Sequence, residues 1–97
     1  MKTFFDGVFI DRSRLMEEGI KYPIKLEYFK TSEEENVETK YGIEVVKTEY
    51  IDGDIRTETK TINNLTNSVI EQEKILNLLK SNEVTPIAVE DVLDDIL

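Results

Sequence analysis

The sequence predicts an α+β domain: an antiparallel meander of three to four strands, with two C-terminal helices packed on one face. Three observations carry that prediction. Residues 38–62 hold two runs rich in β-branched and aromatic side chains, separated by Asp52-Gly53, the strongest short-range signal for a hairpin. The stretch "YPIKLEYFK" (22–30) alternates, with Ile24, Leu26 and Tyr28 on one side and Lys25, Glu27 and Phe29 on the other, which is strand period. After Ser68 the apolar spacing becomes that of a helix. A chain of 97 residues holds one domain around a single core.

The elements follow in order. In residues 1–20, Phe4, Phe5, Val8, Phe9 and Ile10 are too apolar to dangle, residues 8–10 suit an added strand, and Ser13 suits a turn ending at Gly19. This arm is expected to cover the second face of the sheet or to exchange between subunits. The meander spans residues 22–62, with the acidic "TSEEEN" (31–36) read as a solvated connection. A two-residue Asp52-Gly53 loop, with positive φ at both positions, pairs Glu49 with Arg56, Lys47 with Glu58, Thr48 with Thr57 and Ile43 with Ile62. A slip by one residue destroys both charge pairs and the isoleucine pair, at roughly 0.2–1 kcal/mol each. Val46, Tyr50 and Ile55 then share a face expected to be core. Ile43, Val45 and Ile62 lie on the other, expected to be partly wet.

A helix is predicted over residues 68–80. Ser68-Val69-Ile70-Glu71 has the capping-box pattern, Val69, Ile75, Leu76 and Leu79 share a stripe, Lys80 suits the negative end of the dipole, and Asn82 is a stop. Ile70 and Leu78 lie off the stripe and offer apolar surface to a second layer or another chain. A last helix is predicted over residues 85–97, with Thr85 as cap, Pro86 at the first position and a Val84/Val89 staple. Its stripe is Val89, Val92, Leu93, Ile96 and Leu97. At about three turns it is shorter than the roughly 12–15 residues an isolated helix needs. Asp94 and Asp95 also oppose its dipole, so it is expected to form only when docked.

The sequence "YGIEVVKTE", a threonine-rich strand, an amphipathic helix and "NEVTPIAVEDVLDDIL" together resemble a family of short bacterial proteins of unknown function. The resemblance covers roughly residues 22–97 and is most specific at Val84, Thr85, Pro86, Asp91 and Val92. It implies a small α+β domain from spore-forming anaerobes or their relatives, and it implies no activity.

Charge and composition narrow the function. The net charge of −9 repels the phosphates of nucleic acids and anionic membrane surfaces. With neither Cys nor His, the chain has no disulfide, no thiolate nucleophile, no Ser-His-Asp triad and none of the usual zinc or iron ligand sets. No stretch reaches the roughly 20 apolar residues of a membrane span, and the N-terminal run is broken by Asp6 and Asp11, unlike a secretory signal. The cytoplasm is the expected compartment, which makes the Asn64-Leu65-Thr66 sequon a chance match.

Asp52-Gly53-Asp54 is turn chemistry rather than a cation site, because calcium takes 6–8 oxygens. Tyr28, Phe29, Tyr41 and Tyr50 lack the basic groove that base stacking would require, and are read as core and cross-strand pairs. Glu33-Glu34-Glu35 reads as a wet loop. Glu90/Asp94 and Asp91/Asp95 set like charges one helical turn apart, for which plain solvation is the first explanation, a basic partner the second and a metal the third. Glu90, Asp91, Leu93, Asp94 and Asp95 are the candidate partner-binding residues.

No catalytic residue, metal or cofactor is assigned. The expectation is a non-catalytic protein-interaction or regulatory module, with an unidentified protein partner and homodimerisation through the two apolar faces. The alternative is an acidic mimic of nucleic acid that occupies a basic groove. Residues 81–97 hold Glu83, Glu90, Asp91, Asp94 and Asp95 and no base, but Lys and Arg punctuate residues 1–60 and interrupt the stripe a mimic needs.

Overall fold

The computed structural model describes residues 1–10, 22–35 and 38–96. Strands β1 (Lys2–Ile10), β2 (Ile24–Glu35), β3 (Glu38–Ile51) and β4 (Asp54–Thr66) precede helix α1 (Val69–Ser81), a 3₁₀ turn (Pro86–Ala88) and helix α2 (Val89–Ile96). The strands lie side by side in chain order, each antiparallel to the next. Both helices contribute to one core on one face of the sheet, so the fold is the predicted α+β meander with four strands.

The β3–β4 register is the predicted one: Glu49 faces Arg56, Lys47 faces Glu58, Thr48 faces Thr57 and Ile43 faces Ile62. The turn differs. Gly53 has φ 75°, whereas Asp52 does not enter the positive region, as in a type II turn that needs only its third residue there. Lys47 reaches both Glu49 (3.1 Å) and Glu58 (3.5 Å), and Arg56 is within ion-pair distance of no carboxylate among the described residues. The backbone register therefore stands without the Glu49–Arg56 bridge.

Three expectations are corrected. Residues 2–10 do not lie over a face of the sheet but extend it as an edge strand, with Val8 opposite Leu26 and Ile10 opposite Ile24. Residues 11–20, including Ser13 and Gly19, lie outside the described residues. Nor is the acidic run at 31–35 a loop: β2 continues to Glu35, with Glu33 opposite Lys40 and the Ser32 amide donating to the Met1 carbonyl. The ladder to β3, joined by β1 as far as Ser32, outweighs the weak strand preference of glutamate.

The third correction concerns the core. Ile43 and Val45 are fully buried and Ile55 is 62% exposed, the reverse of the expected faces. The deciding contact is between β2 and β3. Its register sets Tyr28 against Val45 and Leu26 against Lys47, so the apolar side of β2 joins the Ile43/Val45 side of β3.

Helix α1 starts at Ser68, whose hydroxyl accepts from the Glu71 amide, but Ser68 N–H goes to Thr66 Oγ1 rather than to Glu71. One half of the capping box is thus replaced by a local turn. Ile75, Leu76 and Leu79 face the sheet together with Gln72, while Val69, Ile70 and Leu78 are exposed. The helix closes with Glu83 at φ 51°, Val84 N–H on the Leu79 carbonyl and Glu83 N–H on the Lys80 carbonyl, a Schellman arrangement whose apolar pair is Val84 and Leu79.

Gln72 ties α1 to the sheet: its amide donates to the carbonyls of Thr31 (3.0 Å) and Gly42 (2.7 Å). Gly42 marks the irregularity in the β3–β4 ladder, where a Cβ would stand 2.3 Å from the Ile62 carbonyl oxygen. The chain then turns through the 3₁₀ segment into α2. Val84 and Val89 are buried, Val92 is half-buried, Leu93 is buried, and Ile96 is 45% exposed. Thr85 makes no side-chain cap; its carbonyl accepts from Ala88 instead. Tyr28 anchors this segment by donating its hydroxyl to the Val84 carbonyl at 2.9 Å.

Candidate functional site

The sheet has a second face that no described helix covers. Strand alternation places Phe4 and Phe9 of β1, Phe29 of β2, Val46 and Tyr50 of β3 and Ile55 of β4 there. Phe4 meets Phe29 edge to face with ring centroids 5.7 Å apart, and Phe9 lies 6.3 Å from Tyr50. Phe4 is 55% and Phe9 60% exposed. Phe4 and Phe9 thus remain largely in water, while Phe29 and Tyr50 beneath them are half-buried.

Polar contacts hold these rings in place. The Lys2 ammonium lies 4.6 Å from the Phe29 centroid and 2.7 Å from Glu44, which also accepts from Thr61 Oγ1 at 2.8 Å. Partial burial works to raise the Glu44 carboxyl, but the hydrogen bonds from Lys2 and Thr61, aided by the lysine charge, hold it below its ordinary value. Lys25 lies 3.4 Å from Glu27, and the nearby Tyr50 and then Glu27 raise its ammonium pKa. Beside the rings Lys2 and Lys25 answer Glu27 and Glu44, so the charge is balanced locally there.

The predicted partner-binding residues lie elsewhere, on α2. Glu90 pairs with Lys60 of β4, whereas Asp91, Asp94 and Asp95 are exposed and within ion-pair distance of no base among the described residues. Leu93 is turned into the core at 5% exposure. The helix therefore brings its acids to one outer side but not Leu93 with them.

On the covered side, Asp6 pairs with Lys80 and Lys30 with Glu73, pinning α1 to β1 and β2. The Gly7 amide and then Lys80 lower the Asp6 carboxyl. Burial pushes the Tyr28 phenol above its ordinary range, and the charge of Glu83 adds to this, so Tyr28 acts as a neutral donor. A recess of about 180 Å³ is lined by Thr3, Lys30, Thr31, Ser32, Tyr41, Val69 and Gln72. Gln72 Oε1 is buried with no partner among the described residues, while its Nε2 is committed to two carbonyls. Among the described residues no group of three or more acids is placed to hold a metal ion, and no helix is long and apolar enough to cross a membrane.

The family model of DUF6514, a family of unknown function, matches residues 8–97. The chain belongs to that family. The match reaches back past residue 22 into β1, so residues 8–21, left outside the sequence resemblance, are part of the DUF6514 unit. No curated protein and no solved structure matches the chain. The aromatic face escaped the sequence reading because Phe4 and Phe9 can be placed on it only once β1 is known to join β2.

Proposed function

We propose that this DUF6514 protein is a small, non-catalytic, cytoplasmic interaction module that docks a protein partner on the open face of its sheet. The observation that carries the reading is the stripe formed by Phe4, Phe29, Phe9 and Tyr50, in which exposed Phe4 and Phe9 pack on half-buried Phe29 and Tyr50 and Lys2 lies over the Phe29 ring. Aromatic side chains with few rotatable bonds lose little entropy on docking, and contiguous exposed apolar patches mark interaction sites. The local charge balance supports a partner with a mainly apolar surface. An apolar surface of this kind on another protein is the ligand chemistry the face fits.

A second reading draws on α2. Asp91, Asp94 and Asp95 face outward together, which suits a basic groove and the role of a nucleic-acid mimic. Lys60 neutralises Glu90 at the edge of that cluster, so the acidic strip is short, and the aromatic face is preferred.

Affinity capture from the native cell separates the two. A stoichiometric prey bound by the wild type should be lost with the Phe4→Ser/Phe9→Ser variant and retained with Asp91→Asn/Asp94→Asn/Asp95→Asn. The opposite pattern would establish the mimic. Retention by both variants, each with unchanged circular dichroism, would reject both surfaces.

A further inference from the structure

Strand β4 is an edge, and its residues 54–59 are exposed on both faces. Edge strands present a row of unpaired N–H and C=O groups that can take another strand. The phase of that row is visible at Ile55, whose N–H goes to the neighbouring Asp54 carboxylate and not to β3. Thr57 and Thr59 follow at two-residue intervals and so turn their amides outward as well. Asp54, Arg56, Glu58 and Lys60 alternate with them in sequence and alternate in sign.

We propose that two copies of this chain join through their β4 edges, antiparallel about a two-fold axis at Thr57, to form one continuous eight-stranded sheet. The register follows from the charges. An axis normal to the sheet keeps each side chain on its own face, so the only choice is the residue on which the pair is centred. Centred on Thr57, Asp54 meets Lys60 of the other copy and Arg56 meets Glu58, and both pairs occur twice. Centred on Arg56, Arg56 meets itself and Asp54 meets Glu58. Centred on Glu58, Glu58 meets itself and Arg56 meets Lys60. Centring on Ile55 keeps the Asp54–Arg56 pairs but sets Asp52 against Glu58, and centring on Thr59 keeps only the Glu58–Lys60 pairs. One register thus satisfies the whole alternation, and opposite charges facing across strands stabilise while like charges destabilise.

Two further features fit this occupant. Arg56 has no acid within ion-pair distance among the described residues, and the two-fold contact supplies Glu58. Ile87, 85% exposed, stands beside Glu58, Thr59 and Lys60, where a second β4 would shield it. The segment from Asp54 to Lys60 is also electrically neutral, so self-association there escapes the repulsion of a chain at −9. The pairing uses the edge and leaves the aromatic face free, so it stands or falls apart from the docking role proposed above.

Sedimentation of the full chain at high micromolar concentration should give a dimer. Thr57→Pro should give a monomer with unchanged circular dichroism, because the amide it removes faces away from β3. The native chain has no cysteine, which permits a register test. Facing residues in a hydrogen-bonded antiparallel pair have Cα atoms about 5.5 Å apart, within disulfide reach. Thr57→Cys should therefore oxidise to a covalent dimer, while Thr59→Cys, opposite Ile55, should cross-link at least tenfold more slowly. A wild-type monomer at every concentration would overturn the proposal. So would a dimer that survives Thr57→Pro, or Thr59→Cys cross-linking as fast as Thr57→Cys.

Discussion

The two faces of this sheet are made from the same kinds of residue in the same alternation, yet only one is sealed. On the covered face Leu26, Tyr28, Ile43 and Val45 are fully buried beneath Leu76, Leu79 and Val89. The open face carries larger side chains, Phe4, Phe9, Phe29 and Tyr50, and leaves them partly or largely in water. None of the four phenylalanines is fully buried. Hydrophobicity of a strand position therefore does not decide its burial; the layer placed over it does. The covered face also has directional ties, from Tyr28 to Val84 and from Gln72 to Thr31 and Gly42, that leave its helices one way to sit. The open face spends its polar contacts on holding rings in place.

The contrast can be broken most directly by truncation. Leu76→Ala, in the sealed layer, should cost about 2–5 kcal/mol in urea unfolding, from lost transfer energy and a residual cavity. Phe9→Ala removes a larger side chain from the open face and should cost under about 1 kcal/mol. Equal losses would mean that the open face is structural. Next in size, Gln72→Ala should cost about 2 kcal/mol, because two carbonyls lose their donor. Faster amide exchange at residues 31 and 42 would place that loss where α1 meets the sheet.

A smaller effect of opposite sign is expected at the end of α1. Glu83 occupies the left-handed position that Gly usually fills, so Glu83→Gly should stabilise the fold by about 0.5–1 kcal/mol. A loss there would show that the contacts of the Glu83 carboxylate outweigh its backbone strain. The smallest effect sharpens the contrast by pH. The folded-state pKa of Glu44 lies below its ordinary value, so the carboxylate contributes stability that is full above that ordinary value and is lost as pH falls through the folded one. Glu44→Gln should flatten that acid limb by a few tenths of a kcal/mol and should leave the helix-covered face unaffected. An unchanged limb would detach Lys2 and Glu44 from the folding of the open face.

Local features were legible where neighbours in sequence settle them. The β3–β4 register follows from a two-residue turn and facing side chains, and the start of α1 from Ser68. The acidic stretch 31–35 was misread because its strand state depends on β1 and β3, distant partners that supply the ladder. The candidate site was less legible than the fold. The acids of α2 are plain in the sequence, but nothing local shows that Leu93 points inward or that Lys60 reaches Glu90. The aromatic stripe joins residues from three strands, and it exists only after those strands are aligned.

By itself the sequence determined the hairpin, the span of α1, the docked C-terminal segment and the lack of cysteine and histidine chemistry. Each rests on interactions between residues a few positions apart or on composition alone. Only the tertiary structure decided which face became core, because Val46 and Val45 are equally apolar and differ only in what β2 sets beside them. That choice is a collective one: the helices bind the side where Ile24, Leu26 and Tyr28 already line up, and the other side is left to water or to a partner.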